Sequence, residues 1–171
     1  MKPDLKQFNV CEEGLIFYDN YDSFEDAWNA CARGDWMLWI AGRLEIDFRT
    51  LTLAKSRCAR TVIHLMKDIR SINAVEVSEQ YGLGKATEEE LHKAYQAAAY
   101  EASYAAAYAF SASAYDAAAY AYASAAFYAA YAASSAAAGY AAIAKSNNQQ
   151  QTSDICRELL TELVFKQVNQ T

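Results

Sequence analysis

The sequence predicts an all-α protein, a single-domain helical bundle, and three observations predict it. One Pro and six Gly in 171 residues leave few positions that interrupt a helix. Short polar residues followed three positions later by an acid recur at Ser23, Asn73, Thr87 and Ser113, the pattern that satisfies free amides at a helix start. Residues 97–144 contain 27 Ala and 9 Tyr, and Ala is the strongest helix former because it loses no side-chain entropy on folding. The length suits one domain, taken as 1–171, with one core.

The elements follow in order. Ser23-x-x-Asp26 opens a helix to about residue 33. Gly34 turns the chain, and Asp35 caps a helix beginning at Trp36. Asp47 caps the next, about 48–68, where Leu51, Ala54, Cys58, Val62 and Leu65 keep the spacing of one apolar face. Asn73-x-x-Glu76 opens a short helix that stops before Gly82-Leu83-Gly84. Thr87-x-x-Glu90 opens the helix that feeds the Ala/Tyr region, about 88–145. A polar loop, Ser146 to Thr152, then precedes an amphipathic helix at about 153–168, with Ile155, Leu159, Leu160, Leu163 and Val164 on one side.

As one helix, residues 88–144 would span about 85 Å, whereas a compact domain of this length is about 40 Å across. A break near 111–116, at Ser113-x-x-Asp116, resolves the conflict and makes the region a helical hairpin. The aromatic phase agrees. On an ideal helix Tyr100, Tyr104, Tyr108 and Tyr115 share one stripe, and Tyr120, Phe127 and Tyr131 fall opposite. One continuous helix clamped between two neighbours is the competing account. Ala permits close backbone approach and Tyr fills the remaining grooves, so the bland role is packing. The sharper role is an exposed Tyr stripe that binds a partner.

Composition narrows the function classes. The net charge of −6 and pI near 4.9 argue against nucleic acid as partner. Residues 117–144 carry no charge, but Ala, Ser and Tyr are poor membrane residues, so no membrane span is expected. The N-terminus MKPDLKQFNV lacks the apolar stretch of a secretory signal, which suggests a cytoplasmic protein. Cys11, Cys31, Cys58 and Cys156 lie far apart, without zinc-ligand spacing, and read as small buried residues in a reducing compartment. No cofactor is implied. His64 and His92 fall on separate helices, and no nucleophile, zinc or phosphate-loop motif occurs, so an enzyme is not expected.

Three groups of residues are candidates for binding. In Arg33-Gly34-Asp35-Trp36-Met37-Leu38-Trp39 the two Trp are i, i+3 neighbours, and Arg43 is within cation–π reach of Trp39. These residues either pin a helix to the core, with Asp35 pairing Arg33, or form a binding hot spot, where Trp and Arg are enriched. Arg57, Arg60, His64 and Lys67 form a basic stripe opposite the apolar face of the 48–68 helix. It either holds an anion or acidic partner or is a solvated face paired with nearby acids. The third group is the Tyr stripe: Tyr104, Tyr108 and Tyr115.

Cys11-Glu12-Glu13-Gly14-Leu15, Ala27-Trp28 and Cys31-x-Arg33-Gly34-Asp35-Trp36-Met37-Leu38-Trp39 together resemble a family of bacteria and phages. It is the type-five-like immunity protein group of polymorphic toxin systems. Arg43, Asp47-x-Arg49, Cys58-Ala59-Arg60, Ala74-Val75-Glu76-Val77-Ser78-Glu79 and Gly84-Lys85-Ala86-Thr87-Glu88-Glu89-Glu90-Leu91 extend the resemblance over about residues 10–165. It implies a protein partner, a cognate toxin blocked by stoichiometric binding, and carries no catalytic residues. The acidic charge would suit a basic toxin. The alternative is a structural module that self-associates as a homo-oligomer through its Ala/Tyr helices.

Overall fold

The structure is a computed structural model and describes residues 2–8, 10–66, 68–109 and 142–170, with Leu65, 99–109 and 142–147 described by backbone alone. Among the described residues it is all-α. Seven α-helices form: α1 (Glu12–Asp19), α2 (Phe24–Ala30), α3 (Gly34–Arg43), α4 (Phe48–Arg60), α5 (Ile69–Gly82), α6 (Glu88–Ala109) and α7 (Ala142–Val168). Short 3-10 turns lie at Leu5–Phe8 and Ile63–Leu65.

Helix α7 packs against α3 and α4, and α4 against α5, which in turn packs on α6. One apolar cluster runs through the α1–α4 and α7 side of this arrangement. Met37, Ala41, Ala54, Cys156, Leu160 and Val164 sit at its centre, essentially without solvent contact.

The local start signals at Ser23, Asp47 and Thr87 hold. The Ser23 hydroxyl accepts from the Asp26 amide at 3.0 Å, and the Asp47 carboxylate accepts from the Thr50 amide at 2.9 Å. Thr87 and Glu90 form a reciprocal capping box. The Glu90 amide donates to the Thr87 hydroxyl at 3.2 Å, and the Thr87 amide donates to the Glu90 carboxylate at 2.7 Å. The stop at 82–84 also holds. Gly84 takes a positive φ of 74°, and the amides of Gly84 and Lys85 return to the carbonyls of Tyr81 and Gln80 at 2.9 and 2.7 Å. That pairing closes the helix by a Schellman motif.

Other boundaries depart from the sequence reading. Helix α2 ends at Ala30, not 33, because Cys31 turns extended and Arg157 of α7 takes over the carbonyls there. Helix α4 ends at Arg60, not 68. The Thr61 hydroxyl donates to the Cys58 carbonyl at 2.7 Å and itself accepts from the Asn148 side-chain amide at 2.7 Å. Helix α5 begins at Ile69, four residues before Asn73, because Asp68 caps it by accepting from the Arg70 amide at 2.7 Å. The Arg70 guanidinium and that amide hold the Asp68 carboxyl down at about 2.

The polar segment 146–152 is not a loop. It lies within α7, a continuous helix of 27 residues. It contains no Gly or Pro, and the hydroxyls of Thr152 and Ser153 fold back onto the carbonyls of Gln149 and Gln150 at 2.9 and 2.8 Å. The turn at Leu5–Phe8 and helix α1 were not anticipated. The Ser113–Asp116 break, the hairpin and Tyr115 lie outside the described residues. Tyr104 and Tyr108 fall on the backbone of α6, and their side chains lie outside the described residues too.

Candidate functional site

The site is built on the first two turns of α3. Helix α3 starts at Gly34, with Arg33 as the capping residue, so Asp35 is not the cap but a first-turn acid. Gly34 is required by packing. A Cβ there would lie 2.5 Å from the Thr152 hydroxyl oxygen and 2.7 Å from the Thr152 carbonyl carbon on α7. Only a residue without a side chain lets the two backbones meet so closely.

From that start the side chains divide. Met37, Leu38, Ile40 and Ala41 are buried, while Trp36 and Trp39 stay half-buried at the edge. The Arg33 guanidinium holds Asp35 in a fork, with Nε 2.8 Å from Oδ1 and Nη2 2.6 Å from Oδ2. The hydrogen bonds to Asp35 push the Arg33 guanidinium further above its ordinary value, so it stays cationic. Its central carbon also lies 4.4 Å from the Trp36 ring centre, and Arg43 repeats the arrangement over Trp39 at 5.1 Å. Arg33, Asp35, Trp36 and Trp39 are thus brought together, with Arg43 beside them.

Behind this edge lies a cavity of about 310 Å³, bounded by residues from the N-terminal turn and from α1, α2 and α3. Aromatic rings dominate its walls. Phe17 meets Trp36 with ring centres 5.8 Å apart, and Phe24 stacks on Trp28 at 6.1 Å. The polar ends of these walls are engaged elsewhere. The Trp28 indole N–H donates to the Thr161 hydroxyl at 3.0 Å, and the Tyr18 hydroxyl donates to the Pro3 carbonyl at 2.9 Å. Burial pushes the Tyr18 phenol up to about 12, so it remains a donor. Lys2 fixes the N-terminal segment by donating to the Tyr18 and Tyr21 carbonyls at 3.1 and 2.7 Å.

One supporting element, Arg157, was not found from the sequence. Arg157 donates to the Cys31 and Asn29 carbonyls at 2.7 and 3.3 Å, placing a cation at the end of α2. The thiols of Cys31, Cys58 and Cys156 are buried and donate to the carbonyls of Arg33, Thr152 and Gly34 at 3.6, 3.6 and 3.7 Å. A hydrogen bond with Cys58, then burial, raises the Cys156 thiol, and burial raises Cys31. Both therefore stay protonated and weakly nucleophilic. Cys11 departs from the expectation of burial: it is exposed, and it lines the cavity.

The basic stripe does not form as anticipated. Arg57 and Arg60 lie together on α4, facing the largely covered carboxylate of Glu79 at 3.7 and 2.6 Å. Arg57 also lies 3.8 Å from Glu158. His64 sits beyond the helix end in the second 3-10 turn, exposed, and Lys67 lies outside the described residues. The pair Arg57 and Arg60 thus bridges α4 to α5 and α7, which is the paired-acid role the sequence left open.

Among the described residues no group of three or more His, Cys, Asp or Glu is placed to hold a metal ion, and no helix is long and apolar enough to cross a membrane. Compared with protein-family models, with curated proteins and with solved structures, the chain matches none.

Proposed function

We propose that this protein is a non-catalytic, cytoplasmic binding protein that neutralises a protein toxin by occupying it stoichiometrically. The observation that carries this reading is the pair of guanidinium-over-indole stacks on successive turns of α3. Trp36 and Trp39 are half-buried, so each is held by its stacked guanidinium and keeps part of its indole accessible. Trp and Arg are enriched among the few residues that dominate binding energy at protein interfaces. Arg33 is oriented by Asp35, and the start of α3 is wedged against α7 at Gly34, so the patch is preorganised. The net charge of −6 adds attraction for a basic partner. The immunity-family resemblance, centred on Cys31 to Trp39, names a toxin as that partner.

The test is co-expression with each toxin encoded beside this gene. Protection of the host and a 1:1 complex, both lost in the Trp36→Ala, Trp39→Ala double variant, support the reading. Failure of every such toxin to give protection or a complex overturns it. Concentration-dependent self-association with no toxin complex would favour the assembly module instead.

A further inference from the structure

We propose that the aromatic cavity beneath α3 is a small-molecule site for a neutral, planar ligand of two fused aromatic rings. Its size sets the scale. A cavity of about 150 Å³ with apolar walls admits a single benzene ring, and this one is about 310 Å³. Its walls set the shape. Phe17, Phe24, Trp28 and Trp36 offer ring faces and edges, which pair with a flat aromatic in offset or edge-on contact. Its electrostatics set the charge. Asp35 is the one formally charged lining group, and both of its oxygens are already taken by Arg33, so the site asks for neither a cation nor an anion.

Water finds few partners along the Trp28 and Tyr18 wall. A held water needs two to four polar partners, yet the Trp28 N–H is spent on Thr161 and the Tyr18 hydroxyl on Pro3. An apolar group that displaces such water gains affinity. Cys11 lines the cavity and is exposed, whereas Cys31, Cys58 and Cys156 are buried. Cys11 alkylation therefore reports occupancy at that wall.

The experiment is calorimetric titration of the intact chain with indole, with decanoate as a flexible, anionic comparison. Saturable 1:1 binding of indole is expected, together with at least a tenfold slowing of Cys11 alkylation by iodoacetamide at saturation. Ala27→Leu and Cys11→Phe, which each add bulk to a lining position, are each expected to weaken indole at least tenfold. Absence of saturable heat, binding unchanged in Cys11→Phe, or saturation by decanoate but not by indole would each overturn the proposal. If circular dichroism shows Ala27→Leu unfolded, Cys11→Phe alone decides. The titration needs no protein partner, so it stands or falls separately from toxin binding.

Discussion

The indole N–H of Trp28 donates to the hydroxyl oxygen of Thr161 at 3.0 Å, joining residues 133 positions apart. Trp28 is 3% exposed, so this is the partner that satisfies a buried donor. The Thr161 hydroxyl passes its own hydrogen to the Arg157 carbonyl at 2.6 Å. Helix α2 is thereby registered against α7 by a buried directional contact, which adds to the Arg157 bonds at the end of α2.

Thr161→Val keeps the shape and removes the acceptor. It is expected to lower stability by about 1–3 kcal/mol, the cost of an unsatisfied buried donor. Urea denaturation measures this, and Thr161→Ser, which restores the acceptor, should recover most of the loss. An unchanged midpoint in Thr161→Val would remove this bond from the account.

Gly34→Ala places a methyl group against the Thr152 backbone at a distance that real contacts do not reach. Helices α3 and α7 must separate, and a loss of about 1–3 kcal/mol is expected, as for overpacked cores. Thermal melting of the protein alone reads it directly.

Lys55 is 8% exposed, and burial pushes its amine down to about 8. Its folded value lies below the unfolded one, so between the two the unfolded chain holds the extra proton. Raising the pH through 8 therefore favours the folded state. The buried thiols of Cys31 and Cys156 act in the opposite sense, because their folded values are raised. The readout is thus the difference between wild type and Lys55→Met. That difference should shift towards wild type by about 1 kcal/mol between pH 7.5 and 9 in urea titrations. A difference that does not move with pH would contradict it.

Trp36→Ala and Trp39→Ala each remove a half-buried indole and leave a guanidinium without its stacking surface. If the proposed function holds, each weakens the complex by about 2 kcal/mol or more, roughly thirtyfold. Surface plasmon resonance at two salt concentrations separates this loss from that of Glu88→Gln. That exposed acid opens α6, away from α3, and should alter the association rate alone.

What could be read from the sequence was what depends on near neighbours. The caps at Ser23, Asp47 and Thr87 are complete within four residues, so their spacing alone identifies them. The pairing of Arg33 with Asp35 and the nearness of Arg43 to Trp39 were legible for the same reason. Asp68 carries no such signal, because its amide partner is Arg70, two positions on, and Ser71, not an acid, stands three positions on. Residues 146–152 were misread because polarity reports exposure, not conformation: Gln150 and Gln151 are exposed and helical. Arg157 at the end of α2, Thr152 against Gly34 and the cavity itself arise from segments more than a hundred residues apart or from several elements at once. No local pattern announces them.

The placement of α7 bears on how the chain is synthesised. Residues 24–43 leave the ribosome long before residues 153–164, yet Leu160, Val164 and Cys156 fill the centre of the cluster they enter. Until then Trp28 lacks its acceptor and the Gly34 groove lacks its wedge. The nascent α2–α3 pair therefore emerges with its apolar side uncovered, and closure waits on a distant part of the message. Premature stop codons or ribosome stalling before residue 153 should yield an aggregation-prone fragment in place of a smaller folded bundle.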